Sequence, residues 1–479
     1  FLGPDIVNSN YVRDKQLTDE EKLSMEHQIT SEELTESLRH ANKGSAAGHD
    51  GWSYKLIFFL WDILKEPLAS SFNEMIINGR LGDPFRLVNV KLLPKKGDLH
   101  NIKNYRPISL LSNFYKLCSG AFNRRLTKFT DRITSNRQKA YSKTKVSHEC
   151  ILNILDNMKK AILSNSKLAI VLCDFSKAFD KIEHDFMTKT LLFFGFGQYM
   201  IQILKTILTG RVGGILTKEG LTALFDFLCG SGQGDSASAT LFILGIEILL
   251  IKLFLDPALK KVIIPNPSYR HGSETLGVNA YADDITEMIL GSSENLVYLK
   301  NIFSFFSRLS GLELNVDKTT VIPVAASNTQ DFKQEIRNIG FDCDESFTVL
   351  GFKIDNKLSR LHENVDNIKF KMSNISNFWS KVPMTLCGKI TVAKTFLLSQ
   401  IAYICAVIPT PERDFRIFDK IISNFITYKS GIKEKLVFTK TCHGGLGLTR
   451  SRDFIDGIRL GLTNRYLKSS DSWADCLRI

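Results

Sequence analysis

Three aspartates near the middle of the chain have the type and setting for phosphoryl-transfer chemistry. Asp174 ends the apolar run Leu168-Ala-Ile-Val-Leu-Cys173, and Asp283 and Asp284 lie between two further apolar stretches. Two-metal phosphoryl transfer needs carboxylates that hold two divalent cations roughly 3.5–4 Å apart. One cation activates the attacking hydroxyl; the other steadies the phosphates and the leaving group. Magnesium takes a few carboxylates and completes its shell with water and substrate oxygens. Acids for this purpose belong at the ends of neighbouring strands, not in one tight local cluster. An aspartate at a strand end is more often a turn or cap residue, and an Asp-Asp pair in a hairpin is often a solvated turn. Neither signal decides the matter alone.

The elements that would position these acids can be read from periodicity. Residues 168–173 form a continuous apolar run of strand length, suited to a sheet buried on at least one face. Residues 276–282 and 285–290 flank Asp283-Asp284 and predict a β-hairpin with the acids at its tip. Ser292 then caps a helix whose Leu296, Leu299, Ile302, Phe303, Phe306 and Leu309 form one stripe, ended by Gly311. Upstream, residues 1–45 are polar and charged, with a helix start at Ser31. Gly44-Ser-Ala-Ala-Gly-His-Asp-Gly51 lacks the Lys-Ser/Thr ending of a P-loop and reads as a turn. Residues 52–77 are helical in pattern and 87–93 strand-like, followed by the basic loop Pro94-Lys-Lys-Gly-Asp98 and by Arg106-Pro-Ile-Ser-Leu-Leu111. Beyond about residue 356 the pattern is mostly helical, through 390–398 and 415–426, and no internal repeat or low-complexity tract interrupts it.

With 479 residues, 44% of them hydrophobic and 33 of them phenylalanine, the chain can build one large multi-lobed domain or two to four smaller ones. Lysine and arginine number 62 against 50 acidic residues, a net charge of +12 that points to a polyanionic partner, either nucleic acid or an anionic membrane. The nine cysteines are scattered without a C-x-x-C pair, and the adjacent Cys442 and His443 have no second cluster nearby in sequence. That pattern argues against a disulfide framework or a zinc finger and fits a reducing compartment. The most apolar run, residues 240–255, is short and interrupted by Glu247 and Lys252, so no membrane span is expected. The N-terminus lacks signal-peptide regions. With Phe1 at the start and Met25 as the first methionine, the chain reads as part of a longer product.

Asp174-Phe-Ser-Lys-Ala-Phe-Asp180 and Tyr281-Ala-Asp-Asp284 resemble the two metal-binding motifs of reverse transcriptases. Between them, Gly232-Gln-Gly-Asp-Ser-Ala-Ser-Ala-Thr-Leu-Phe242 is similar to the family's Gln-Gly motif. Leu93-Pro-Lys-Lys96 and Asn104-Tyr-Arg-Pro-Ile-Ser-Leu110 precede them; Gly311-Leu-Glu-Leu-Asn-Val-Asp-Lys-Thr319 and Val349-Leu-Gly-Phe-Lys-Ile354 follow. The blocks stand in the family's order and most resemble non-LTR (LINE-type) retrotransposon enzymes. His443-Gly-Gly-Leu-Gly-Leu448 also resembles a segment that follows the thumb in such proteins. The Gln-Gly block departs from its relatives, which often carry Pro-Leu-Ser-Pro where this chain has Ser236-Ala-Ser-Ala239.

The resemblance implies an α+β right-hand polymerase fold of fingers, palm and thumb, with an antiparallel palm sheet covered by helices on one face. It implies an N-terminal helical extension over 1–85, fingers and palm over 86–355, a helical thumb over 356–430 and the start of a post-thumb region over 431–479. By the same resemblance Asp174 and Asp283 are the main ligands of two Mg2+ ions, with Mn2+ as a substitute and Asp284 in support. Phe179 lies under the incoming sugar, and Arg106 with Lys95 (or Lys96) grips the triphosphate. Gln233 and Gly234 border the nucleotide and template, Lys318 protonates pyrophosphate or is a salt-bridged surface lysine, and Leu350-Gly351 forms the primer-grip turn. The implied activity is RNA-directed DNA synthesis from dNTPs in retrotransposition. The implied partners are a template RNA, a DNA primer and target DNA, with no membrane; the implied place is the nucleus, after a cytoplasmic ribonucleoprotein stage. Two alternatives stay open: an RNA-dependent RNA polymerase, against which stand the bulky Phe179 and Ala282, and a non-catalytic nucleic-acid-binding remnant.

Overall fold

The structure, a computed structural model, describes residues 1–95, 97–264, 273–274 and 277–468. Lys96, residue 276 of the expected hairpin and residues 469–479 lie outside the described residues. In chain order the strands are β1 (Leu87–Pro94), β2 (Tyr105–Leu110), β3 (Lys167–Cys173), β4 (Val212–Thr217), β5 (Gly220–Leu221), β6 (Phe225–Asp226) and β7 (Ile263–Ile264). They continue with β8 (Ser273–Glu274), β9 (Val278–Tyr281), β10 (Asp284–Leu290), β11 (Thr320–Ala325), β12 (Asp342–Cys343), β13 (Ser346–Val349) and β14 (Phe352–Asp355).

The palm is the sheet β12-β11-β3-β10-β9, with β3 at its centre. β3 runs antiparallel to both β10 and β11, and β9 and β10 form the expected hairpin; only the edge pair β11–β12 is parallel. Successive β3 side chains alternate between two cores, as strand geometry requires. Ala169, Val171 and Cys173 join a cluster with the helices His184–Phe193, Ser238–Leu255 and Ser293–Ser310. Leu168 and Ile170 join a second cluster with the helix His148–Ser164 and the C-terminal helices. Helices therefore cover the palm sheet on both faces, not on one as expected, and the parallel edge strand is a second departure. An unbroken apolar run is what a strand buried on both sides needs.

The fingers sheet has the order β2-β1-β4-β5, with β6 also on β4. Behind it the expected helix over 52–77 divides at Leu60 into Tyr54–Phe59 and Trp61–Asn78. The helix Ser31–His40 is capped by Thr30, not Ser31, in a reciprocal capping box with Glu33. Arg125, buried on the helix Asn113–Ile133, binds Glu33 in a fork at 2.7 Å and donates to the carbonyls of Met25, His27 and Gln28. One guanidinium thus fastens the N-terminal segment to the fingers.

Beyond residue 362 the helices Glu363–Trp379, Leu386–Val392, Ser399–Val407 and Glu412–Thr427, where the thumb is expected, form one bundle with Ser451–Lys468 of the expected post-thumb region, with a π-helical turn over Ala393–Leu398. Apolar residues of β13 and β14 (Phe347, Val349, Phe352, Ile354) share the thumb's core. Among the described residues two helices, Ser238–Leu255 and Leu386–Val407, are long and apolar enough by length and composition to cross a membrane, a test that a buried core helix also passes. The first lies almost wholly inside the palm core.

Candidate active site

The register of the palm sheet brings the three acids to one end of it. Cys173 pairs with Ile285 on β10, and continuing that register by one residue sets Asp174 opposite Asp284. Asp284 pairs in turn with Tyr281 on β9, leaving Ala282 and Asp283 as a two-residue turn with Ala282 at φ 56°. Asp284 is thus the first residue of the returning strand and not part of the tip. Burial, with repulsion from Asp283 and Asp174, lifts the Asp284 carboxyl above its ordinary value although the residue reaches the surface. Crowding of like charges is what a cation would relieve.

Asp174 already has one neutral donor and one positive neighbour. Its carboxylate accepts from Asn315 Nδ2 at 3.3 Å, and Lys318 Nζ lies 3.8 Å away on a side chain that is 70% exposed. Among the described residues no three His, Cys, Asp or Glu side chains form a closed metal site. The donor set is hard carboxylate oxygen from two adjacent strands, open on one side, which fits a cation that draws further ligands from water and substrate.

Leu350 and Gly351 form the two-residue turn between β13 and β14, where Val349 pairs with Phe352. Both have positive φ, 46° and 84°, the left-handed pair that a tight hairpin turn requires. Leu350, Asp174, Asp284 and Lys318 line one open cavity of about 260 Å3. Leu350 of the expected primer-grip turn therefore borders a common space with two of the three acids, Asp174 and Asp284; Asp283 does not line it.

A second group assembles on the fingers side. Phe179 is half-buried, its ring centroid 4.5 Å from that of the buried Phe242. Gln233 Nε2 donates to both carboxylate oxygens of Asp180, at 3.3 and 3.2 Å. Burial raises the Asp180 carboxyl, against the opposing pull of Gln233, Lys177 and Lys95. Lys95 is bonded through its backbone to Asn104 at 2.6 Å, and Arg106 pairs with Leu93, so both basic side chains stand on the same face of the β1–β2 ribbon. Lys95 stands close enough to Asp180 to pull its carboxyl down. Gly234 has φ 118°, and a Cβ there would stand 2.8 Å from the carbonyl of Ser109, whose own N–H donates to Gln233 at 2.8 Å. Only glycine lets this loop lie so close to β2.

Two supporting residues were visible in the motifs but were given no role by sequence reasoning. Asp180 orients Gln233, as above. Asp235 is buried and accepts from Tyr115 Oη (2.5 Å), Arg211 Nη2 (2.7 Å), Ala237 N (3.1 Å) and Ser119 Oγ. Ser238, within the divergent Ser236-Ala-Ser-Ala239 stretch, donates to the carbonyls of both Ser231 and Gly232 at 2.7 Å.

Residues 93–354 match the family model described as reverse transcriptase (RNA-dependent DNA polymerase). The chain is 25% identical over 475 residues to the 149 kDa protein of transposon TX1 from Xenopus laevis, covering 98% of this chain and 36% of that protein. It is 26% identical over 299 residues to the Pol polyprotein of retrotransposable element R2 from Popillia japonica, covering 61% and 39%. Among solved structures, apo telomerase from Candida tropicalis aligns with a TM-score of 0.43 at 13% identity, covering 84% of this chain and 70% of that one. The chain spans well under half the length of these two transposon proteins. The family match covers more than half of the chain and contains both acid motifs, so the chain belongs to the reverse transcriptase family, within which it is a domain of the non-LTR retrotransposon type.

Proposed function

We propose that this chain is the RNA-directed DNA polymerase part of a retrotransposon protein, extending a primer 3′-hydroxyl with dNTPs on an RNA template. The observation that carries the reading is the β3–β10 register, which sets Asp174 beside Asp283 and Asp284 at one open end of the palm sheet. Two divalent cations, Mg2+ with Mn2+ as a substitute, would supply activation of the primer hydroxyl and neutralisation of the triphosphate. Asp174 and Asp283 are the residues to hold them, with Asp284 in support. Lys318, already beside Asp174, supplies positive charge next to the site of pyrophosphate departure. Lys95 and Arg106 bind phosphate oxygens from the fingers, Arg106 as a fork and Lys95 as a point charge. Phe179, backed by Phe242, forms the floor under the sugar. Gln233 and Gly234 bring backbone close to the nucleotide and template, and Leu350-Gly351 holds the primer end. Template RNA, DNA primer and target DNA are the partners. The place of action is the nucleus, reached as a cytoplasmic ribonucleoprotein.

The test is primer extension on a homopolymer RNA template by Asp174→Asn and Asp283→Asn. Asparagine keeps the shape and removes the charge that a hard cation needs. Both variants are expected to lose extension while template–primer affinity, read by fluorescence anisotropy, stays within about threefold of wild type. Extension at the wild-type rate by Asp283→Asn would refute the assignment.

A further inference from the structure

The turn that carries Asp283 lies at the open edge of the palm sheet, because β9 is the last strand. Edge backbone groups are ordinarily left to water. Here they are taken up by a segment from a distant part of the chain. Lys139 N donates to Ala280 O at 2.9 Å, Ala280 N donates to Arg137 O at 2.9 Å, and Gln138 forms a parallel bridge with Ala280. The Gln138 side chain, 1% exposed, continues the pairing into the turn itself. Its Nε2 donates to Ala282 O at 3.3 Å, and its Oε1 accepts from Ala282 N at 3.0 Å and from Ala140 N at 3.0 Å. The amide orientation is fixed by its partners: turned over, it would set its own N–H groups against two N–H donors and leave a carbonyl facing a carbonyl.

We propose that Gln138 is a positioning residue for the acid turn, its side-chain amide acting as one more peptide unit on the edge of the palm sheet. The inference rests on the reading of Asp283 as a metal ligand. Ala282 is held at φ 56°, a left-handed conformation that a residue with a Cβ resists, and Asp283 is the next residue along. Bonded on both its N–H and its C=O, Ala282 keeps its peptide plane and so fixes where the Asp283 carboxylate starts. Without the amide, the turn is free to relax toward negative φ, and Asp283 moves with it. A displacement of about 1 Å at a catalytic group is enough to slow chemistry roughly a hundredfold.

The experiment compares wild type, Gln138→Leu, Gln138→Glu and Asp283→Asn. Gln138→Leu removes all three bonds. Gln138→Glu keeps both N–H acceptors, and in the protonated form that burial favours its O–H replaces the donor to Ala282 O. The expected result is a fall in kcat of about a hundredfold for Leu and a smaller fall for Glu, with the dNTP KM and template–primer Kd within about threefold of wild type. Both variants should need more Mg2+ for half-maximal rate. A folded Gln138→Leu that binds template–primer and turns over at the wild-type rate would overturn the proposal. Hydrogen exchange on the unmodified protein gives a readout that no folding defect can obscure. The Ala282 amide should exchange at least about a hundredfold slower than an open turn amide, and free exchange there overturns the proposal equally. If Asp283→Asn extends primers normally, it is the metal-ligand reading that fails, and Ala282 protection still reports whether the clamp exists.

Discussion

The buried pair Arg211–Asp235 sets up a non-additive stability experiment. The two side chains are 5% and 3% exposed, and Arg211 Nη2 lies 2.7 Å from Asp235 Oδ2. Burial alone would raise the Asp235 carboxyl, but Arg211, Ser119 and Tyr115 outweigh it and hold the group below its ordinary value. A depressed carboxyl contributes stability above its unfolded value and loses it as pH falls through the folded one. Arg211→Met strands a carboxylate and Asp235→Leu strands a guanidinium, each costing about 3–5 kcal/mol. In the double variant no charge is stranded; what remains is the loss of the Tyr115 and Ser119 hydroxyls' acceptor, present in Asp235→Leu as well, at about 1–3 kcal/mol each. The double should therefore cost about as much as one single and fall several kcal/mol short of the sum. A chain of several lobes does not unfold in one step. The readout is hydrogen exchange of peptides from the helix Asn113–Ile133 and the loop 232–235, which gives local opening free energies. The dNTP KM should rise in both singles, because Asp235 follows directly on Gln233-Gly234. Costs that add to within about 0.5 kcal/mol would refute the coupling.

Replacing Phe179 by Val should raise rNTP use relative to dNTP by at least about tenfold, roughly 1.4 kcal/mol, since the 2′-hydroxyl then no longer meets an apolar ring. The buried Phe242 behind it stays in place; an unchanged kcat/KM ratio in an active variant would show that the sugar is read elsewhere. Lys145, which donates to Ser135 O at 2.9 Å and Thr134 Oγ1 at 3.0 Å, is lowered by burial, against the pull of Glu247, to about 8. A depressed lysine adds stability as pH rises from about 8 toward its ordinary 10.5 and loses it on the way down, so Lys145→Met should flatten that window in hydrogen-exchange stability. Equal slopes in variant and wild type would refute the shift.

The parts of the fold legible in the sequence are those fixed by local pattern. Residues 168–173 have no polar interruption, so a buried strand follows whatever lies on either side, but the same run serves a sheet covered on one face or on two. Only the alternation of Ala169 and Val171 against Leu168 and Ile170 between two cores decides that, and their partners are helices far away in the chain. Ser292 and Gly311 were legible as helix ends because capping is a matter of the nearest few residues, and both are found there. Thr30 competes with Ser31 by one position, and the reciprocal bond with Glu33 settles it. Gln138 had no local signature: apart from the bond from Ala140 N, which any backbone offers, its side-chain partners lie on a backbone 144 residues away.

The same contrast holds within the site. The acids could be placed from the sequence because strand ends and a hairpin turn carry them, whereas their link to the nucleotide side could not. That link is the stretch from Asp174 to Asp180. Its first residue continues β3, while its last holds Gln233 and with it the loop pinned to Ser109 on β2. Between them Ser176 N donates to Glu313 O at 2.9 Å, Lys177 takes φ 52°, and Phe179 O accepts from Ser231 N at 3.1 Å. Seven residues thus span from the acids to the fingers side, bonded at intervals to two other parts of the chain, Glu313 and the loop from Ser231 to Gln233. A left-handed lysine in such a segment is tolerated because its neighbours are fixed on both sides. Phe179, proposed as the floor under the sugar, therefore cannot shift without pulling either on Asp174 or on the bond from Gln233. On the proposed roles, that mechanical tie would couple recognition of the nucleotide to the geometry of the acids.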